Sequence, residues 1–422
     1  MCARLRLYAG HHDWNPVSKG RSVKSLLISG AILHIAGGLQ SLLMPIRAQN
    51  EGFDISSISL MGSTYAIGFM LGCLIAPRMI GRVGHARAYT VVAAIAAFAV
   101  GWVGLWVSEY AWIALRSLTG FAFAAAATVA ESWLNERASP ENRGTLFGYY
   151  AAANFSGLTL GQLLLTQFDP ITPSPFMLAG MLFAAALIPT ALTRSSQPQP
   201  VNGPKTGAWS LLKLTPVGAC AVFVIGLGSS AFGTLAPVYA QEVGLSLAET
   251  ALFMTVALVC GALFQIPIGR LSDRKDRRRV LGAISVASAL TSGLFIVGST
   301  APAWVQIALA GGVGATLYTL YGVSIALANE QIGPGKFLET AGIMLLVFGT
   351  GAVLGPLLAL PFKQWMGPSG LFGFIAVIHL VLAAVIATRI LTAKVTPYAH
   401  TDYVPQRPGS VTILAGDAEV AP

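Results

Sequence analysis

The chain has 422 residues, of which 55% are hydrophobic and 10% charged, with 26 Lys and Arg against 17 Asp and Glu. Soluble proteins carry roughly 25% charged residues, so a fully solvated surface cannot be built from this sequence and lipid must cover the remainder. The net charge of +9 would suit nucleic acid, but the basic residues sit between apolar runs rather than beside groove-reading elements, so no nucleic-acid partner is expected.

Apolar segments of roughly 18 to 25 residues, long enough to cross a hydrocarbon core of ~30 Å, begin near Ser25, Ser57, Ala88, Tyr110, Thr145 and Phe176. The first imitates a signal peptide, since Lys19, Arg21 and Lys24 precede it, but it is too long and many others follow. A polar stretch from Arg194 to Leu212, containing SSQPQPVNGPKTG, has no helical period and reads as a flexible linker. Further apolar segments begin near Leu214, Ala248, Val280, Ala303, Phe337 and Gly370. The expected fold is therefore an all-α membrane protein of about twelve transmembrane helices in two six-helix bundles related by a pseudo-two-fold axis. Its expected parts are an N-terminal segment 1–24, a first bundle 25–193, the linker 194–212, a second bundle 213–392 and a tail 393–422.

Cytoplasmic loops are enriched in Lys and Arg. With the N-terminus inside, all the Lys and Arg residues except Arg47, Lys363 and the intramembrane Arg116 fall on the cytoplasmic side, so both termini are expected there. The halves also repeat. Pro45 and Pro237 end the first helix of each half, Gly52 and Gly244 follow in the next loop, and Arg82 and Arg274 lie in the second-to-third loop, each pair 192 residues apart. Gly157-x-x-x-Gly161 returns as Gly351-x-x-x-Gly355 at an offset of 194. Cys73, Cys220 and Cys260 lie inside apolar runs and Cys2 at the start, with no CxxC or Cys/His pairing, so neither a disulfide framework, a metal site nor a cofactor is expected.

The strongest local signal is Gly269-Arg-Leu-Ser-Asp273-Arg274-Lys-Asp276-Arg277-Arg278, between the eighth and ninth segments. Glycine permits close helix approach, and Asp273 can accept from helix-terminal amides or pair with an arginine, so the cluster reads as a charge latch at the cytoplasmic face. It resembles the signature loop of the major facilitator superfamily, with Asp276 in place of that pattern's second glycine. The first-half loop, Pro77-Arg-Met-Ile-Gly81-Arg82-Val-Gly84-His85, has Gly81 where the family carries aspartate. Arg116-Ser-Leu-Thr-Gly120 resembles the family's arginine-containing fourth-helix motif, while the second half has Ala308 at the offset position. Glu131-Ser-Trp-Leu-Asn-Glu-Arg, continuing through Glu141-Asn-Arg143-Gly144, is similar to a small bacterial branch whose substrates are largely unassigned.

Arginine inside a bilayer is costly and usually faces a cavity or a partner, which makes Arg116 a candidate for coupling or solute binding, with Glu109 as a surface partner if it snorkels. Glu131, fifteen residues later and about 22 Å along the helix, is a candidate proton carrier. His34 shares a helix face with Gly30, Gly37, Gly38 and Ser41 and is a candidate for either role. Gln40, Asn154, Gln162, Tyr318 and Tyr321 are candidate solute contacts. Gly157, Gly161, Gly351, Gly355 and Pro356 suit helix packing and bending; the first pair resembles the fifth-helix motif of the family's antiporters, with Gln162 where proline would follow.

With no HExxH, P-loop or paired catalytic carboxylates, an enzyme or an ATP-driven pump is not expected. The resemblance implies a monomeric inner-membrane carrier of a small organic solute working by alternating access, with protons as the candidate coupling ion and the Asp273 cluster helping to close the inside. A facilitative uniporter and a transporter-shaped receptor are the competing classes, and flux separates them.

Overall fold

The computed structural model describes residues 16–138, 142–191, 214–332 and 337–392. The first half is α1 (Pro16–Asn50), α2 (Ile55–Val83), α3 (His85–Leu105), α4 (Glu109–Arg137), α5 (Arg143–Leu164), α6 (Ser174–Ala185) and a short α7 (Leu187–Ala191). The second half is α8 (Pro216–Glu242), α9 (Leu247–Arg274), α10 (Arg277–Val297), α11 (Ala303–Ile332), α12 (Phe337–Met366) and α13 (Gly370–Thr392). The linker 194–212, the tail 393–422 and residues 1–15, together with Lys213, Lys336 and Glu141, lie outside the described residues.

Among the described residues, ten stretches are long and apolar enough to cross a membrane. The last, Thr340–Thr392, contains most of α12 and the whole of α13, joined through the 3-10 turn Gly367–Ser369. The remaining helix, α5, has 22 residues, enough to span, but Asn154, Ser156, Gln162 and two tyrosines lower its hydropathy. Of these, Gln162 faces the central cavity described below, while Asn154 and Tyr150 pack against Gly30 of α1. Among the described residues this makes twelve spans, counting α6 and α7 as one interrupted span. The interruption has a local cause: Pro189 cannot donate to the Ala185 carbonyl and its ring crowds that oxygen, so α6 ends at Ala185. α1 begins at Pro16, upstream of the expected start near Ser25, so Lys19, Arg21 and Lys24 are carried on the helix itself.

Short connections make successive helices run in alternate directions. The end at which α1 starts is here the basic end, and the other is the far end. Exposed Trp102, Trp106, Tyr110, Trp304 and Trp365 all lie at the far end, where amphipathic rings suit a headgroup layer.

The repeat seen in sequence is a repeat of turn geometry. Gly52 and Gly244 have φ of 75° and 85°, and each closes a helix with the same pair of bonds: Gly52 N–H to Gln49 O (3.0 Å) with Phe53 N–H to Ala48 O (3.0 Å), and Gly244 N–H to Gln241 O (3.0 Å) with Leu245 N–H to Ala240 O (2.9 Å). This is the glycine-ended helix stop, in which a left-handed residue satisfies carbonyls that the helix leaves open. The next helix starts from a side-chain cap in both halves. Asp54 accepts from Ser56 N at 3.1 Å, and hydrogen bonds from Ser56 hold its carboxyl below the usual range. Ser246, 192 residues on, forms a capping box with Glu249.

Glycine also sets the crossings. α1 and α5 approach so closely that a methyl group at Gly161 would stand 2.7 Å from the Leu39 amide nitrogen, and one at Gly157 would stand 2.6 Å from the Ala31 oxygen. In the second half, Gly351 and Gly355 of α12 meet α8 in the same way, with methyl groups there falling 3.0 Å from Leu227 N and 3.0 Å from Leu227 Cα. Pro356 is buried beside this crossing. Gly120 and Gly314 make the equivalent backbone approaches of α4 to α2 and of α11 to α9.

Gly161→Leu should therefore lower thermal stability in detergent by about 1–3 kcal/mol or more through overpacking. Gly101→Leu, where a methyl group meets nothing within 4 Å, should leave it nearly unchanged. Equal melting temperatures for the two variants would contradict the crossing.

Candidate functional site

α1, α2, α4 and α5 of the first half and α8, α9, α11 and α12 of the second enclose a cavity of about 270 Å³. This is just below the roughly 300–1,000 Å³ typical of ligand sites. α3, α6, α10 and α13 contribute nothing to the wall. The polar groups on it include Gln40, Tyr65, Arg116, Gln162, Ser230 and Thr234. Most of the rest is apolar, with Met61, Phe123, Met254 and Phe348 prominent. Toward the basic end, Cys73, Ala124 and Leu345 pack together with Phe69 as an apolar floor joining the two halves. Toward the far end, the Thr255 hydroxyl donates to Gln162 Oε1 at 3.2 Å, also across the halves.

Arg116 is the only charged side chain among the described residues of the wall. Its guanidinium carbon lies 4.2 Å from the centre of the Tyr65 ring, and it forms no ion pair with a described carboxylate, Glu109 included. Of the other candidates, Gln40, Gln162 and Tyr318 are on the wall, and the Gln40 amide nitrogen is buried without a hydrogen-bond partner. His34, Asn154, Tyr321 and Glu131 are not part of the wall. His34 Nδ1 bonds the Gly30 carbonyl at 2.7 Å and its ring meets Phe123 edge-on at 5.3 Å. Asn154 faces Gly30 on α1, and Tyr321 is buried against Phe348 at 5.5 Å. Glu131 is half-buried at the basic end of α4, so Arg116 and Glu131 do not share the cavity. Sequence reasoning missed Tyr65, Ser230 and Thr234, which look like ordinary span residues until the fold turns them inward.

At the basic end, Arg277 is the hub of the charge cluster. Its Nη2 donates to Asp273 Oδ1 at 2.9 Å, its Nη1 to Ser272 Oγ at 2.7 Å and its Nε to Glu330 Oε1 at 2.7 Å. These bonds tie α9, α10 and α11, all in the second half. Asp276, in place of the expected glycine, caps α10 by accepting from Arg278 N at 2.9 Å, and it also pairs with the Arg278 side chain. Gly269 is buried in α9, while Arg274 and Arg82 are exposed in the last turns of α9 and α2, where cations suit the helix dipole. Arg82 has no ion pair among the described residues.

The first half has its own version of this cluster. His85 stands 192 residues before Arg277, and Glu136 stands 194 before Glu330. His85 Nε2 lies 3.0 Å from Ser132 Oγ and 3.8 Å from Glu136 Oε1, with its ring stacked on Trp133. The offset already known from Arg82 and Arg274 would have aligned His85 with Arg277. A histidine opposite an arginine hid the match.

The far end explains the two basic residues that break the charge asymmetry. Arg47 pairs with Glu51 at 2.5 Å and donates to the carbonyls of Pro170, at 3.0 Å, and Ile171. Lys363 pairs with Glu242. Both cations are thus neutralised, and both pin the first helix of a half to the end of its fifth: α1 to the turn after α5, and α8 to α12.

Two pseudo-equivalent bundles of membrane-spanning helices around a shared cavity define a multi-pass membrane protein of the carrier type. The sequence matches the model of the Major Facilitator Superfamily twice, over residues 26–219 and 218–414, and the chain belongs to that family. It is 30% identical over 361 residues to the "Uncharacterized MFS-type transporter YcaD" of Escherichia coli, covering 84% of this chain and 93% of that protein. Its fold is similar to that of the nucleoside transporter NupG, with a TM-score of 0.76 at 15% identity over 88% of this chain and 100% of that one. It is also similar to a D-xylose-proton symporter, with a TM-score of 0.62 at 15% identity over 88% of this chain and 96% of that one.

The two charge clusters should differ in strength. The Glu330 side chain is only 6% exposed beside a buried arginine that keeps Asp273 as its other partner, so Glu330→Gln should cost about 1.5–3 kcal/mol. The Glu136 side chain is 33% exposed and its partner is a histidine at 3.8 Å, so Glu136→Gln should cost less than about 1 kcal/mol. Thermal unfolding in detergent compares them; similar losses would refute the assignment of Arg277 as the stronger hub.

Proposed function

We propose that this protein is a secondary active transporter that carries a small organic solute across the inner membrane by alternating access, as a monomer with both termini cytoplasmic. The observation that carries this reading is the cavity on the seam, with four helices contributed by each half. A site between two separately packed bodies can be exposed to either side when one body rocks against the other. The seam contacts suit that motion because they run through side chains and not through close backbone approach: the Gln162–Thr255 hydrogen bond, Gly62 against Thr234, Met70 against Gly349, and Ala66 of α2 within the apolar cluster of the second half. The orientation is supported by the basic residues at the α1 end, and by the neutralisation of Arg47 and Lys363 at the other.

Proton coupling is assigned to Glu131. It lies on the same helix as Arg116, on the basic side of the cavity floor, and within electrostatic range of the buried Cys73. A carboxylate there can be reached from the basic end when the floor opens, and it changes charge on taking a proton. The latch at Asp273, Arg277 and Arg278 acts in this reading by keeping the second half rigid while it moves.

The test is a solute library presented to the purified protein in liposomes, with an imposed pH gradient and an internal pH dye. A solute-dependent proton flux is expected. Glu131→Gln should abolish pH-driven accumulation while solute exchange continues, whereas normal accumulation in that variant would remove Glu131 from the mechanism. Solute binding by thermal shift without any flux would identify a receptor instead of a carrier.

A further inference from the structure

Resting on the carrier reading, we infer that the solute is an amphipathic organic acid whose single carboxylate is bound by Arg116. A guanidinium held away from bulk water without a counter-anion is costly, and the Tyr65 ring at 4.2 Å compensates only in part. No acidic residue stands on the described wall. The cavity therefore carries one positive charge that its described wall leaves uncompensated, and a monoanionic solute restores neutrality.

The surrounding chemistry narrows the class. Gln40 lies on the same wall, and its buried amide nitrogen has no partner, so an unsatisfied polar group stands beside the cavity. Met61, Phe69, Phe123, Met254, Leu258 and Phe348 offer apolar surface for a hydrocarbon or aromatic body. A cationic solute would meet Arg116 with no carboxylate to hold it. A phosphate monoester, at about −1.5 to −2 near neutral pH, would leave excess negative charge against an apolar wall. A carboxylate matches the cavity in charge and presents two oxygens to the guanidinium fork. The second half has Ala308 in the corresponding place, so the pseudo-symmetry is broken at this position and the acid head has one orientation, toward α4.

The test is binding to the purified full-length protein in detergent near pH 7, read as thermal shift with matched probes: benzoate against benzamide, hexanoate against hexanamide, and phenyl phosphate as a third arm. The carboxylates should stabilise the protein, the amides should not, and phenyl phosphate should do so less than benzoate. Arg116→Gln should weaken carboxylate binding by about ten- to hundredfold, the loss expected for a hydrogen bond to a charged group, with Arg116→Lys in between. The wild-type comparison of acid with amide holds even if a variant fails to fold. Amides binding as well as acids, phenyl phosphate binding better than benzoate, no shift with any probe, or unchanged affinity in Arg116→Gln would each overturn the inference. Carboxylate binding without counterflow of labelled benzoate in vesicles would leave it standing and remove the carrier reading. Flux of neutral solutes alone would do the reverse.

Discussion

Lipid tails are as apolar as leucine, so helices inside a bilayer gain nothing from hiding apolar surface from one another. Association rests on dispersion contacts and hydrogen bonds, which require close approach. In this protein the approach is made at glycine. Gly38, Gly157 and Gly161 let α1 and α5 touch along their backbones, and Gly226, Gly351 and Gly355 do the same for α8 and α12. The remaining architecture depends on these crossings, because they fix the helix pairs that form the inner wall of each bundle and leave α3, α6, α10 and α13 on the outside. The far-end pins of Arg47 and Lys363 reinforce the same two pairs with opposite polarity of donor and acceptor helix.

The two halves keep what packing requires and differ where chemistry is concerned. Helix stops, caps and crossings recur at offsets of 192 to 194 residues. Arg116 has no second-half counterpart, Asp273 none in the first, and the buried Arg277 is answered by His85. A permanent cation with two carboxylate partners makes one basic-end cluster strong. A titratable ring with a single distant carboxylate makes the other weak. The halves thus share a scaffold while holding different charges at the ends of their second and third helices.

Span positions were legible in the sequence because hydrocarbon thickness imposes a length and a composition, and helix starts from Ser57 onward fall within three residues of those observed. The outliers have local causes: Pro189 interrupts the sixth span, and α1 carries its lysines on the helix. The cavity was only partly legible. Gln40, Arg116, Gln162 and Tyr318 stood out as polar groups in apolar runs, but so did His34 and Asn154, and polarity alone does not tell a wall residue from one turned toward a neighbouring helix. His34 satisfies its ring on its own helix, a bond that depends on rotamer rather than on sequence pattern. Glu330 was hidden because its partner lies fifty-three residues away on another helix.

Contacts within each half and contacts across the seam are of different kinds, and that difference bears on how the molecule can work. Within a half, helices meet through backbone at glycine and through buried ion pairs, arrangements that admit little adjustment. Across the seam, the far end is held by a hydroxyl-to-amide hydrogen bond and a threonine against glycine, and the floor by apolar side chains. A hydrogen bond of that sort contributes only about 0.5–1.5 kcal/mol net. Two states of a carrier must lie within a few kcal/mol of each other for both to be populated. A seam of side-chain contacts between halves whose own helices meet through backbone suits that requirement, and Arg116 is the one charge on the described wall that an arriving solute can compensate.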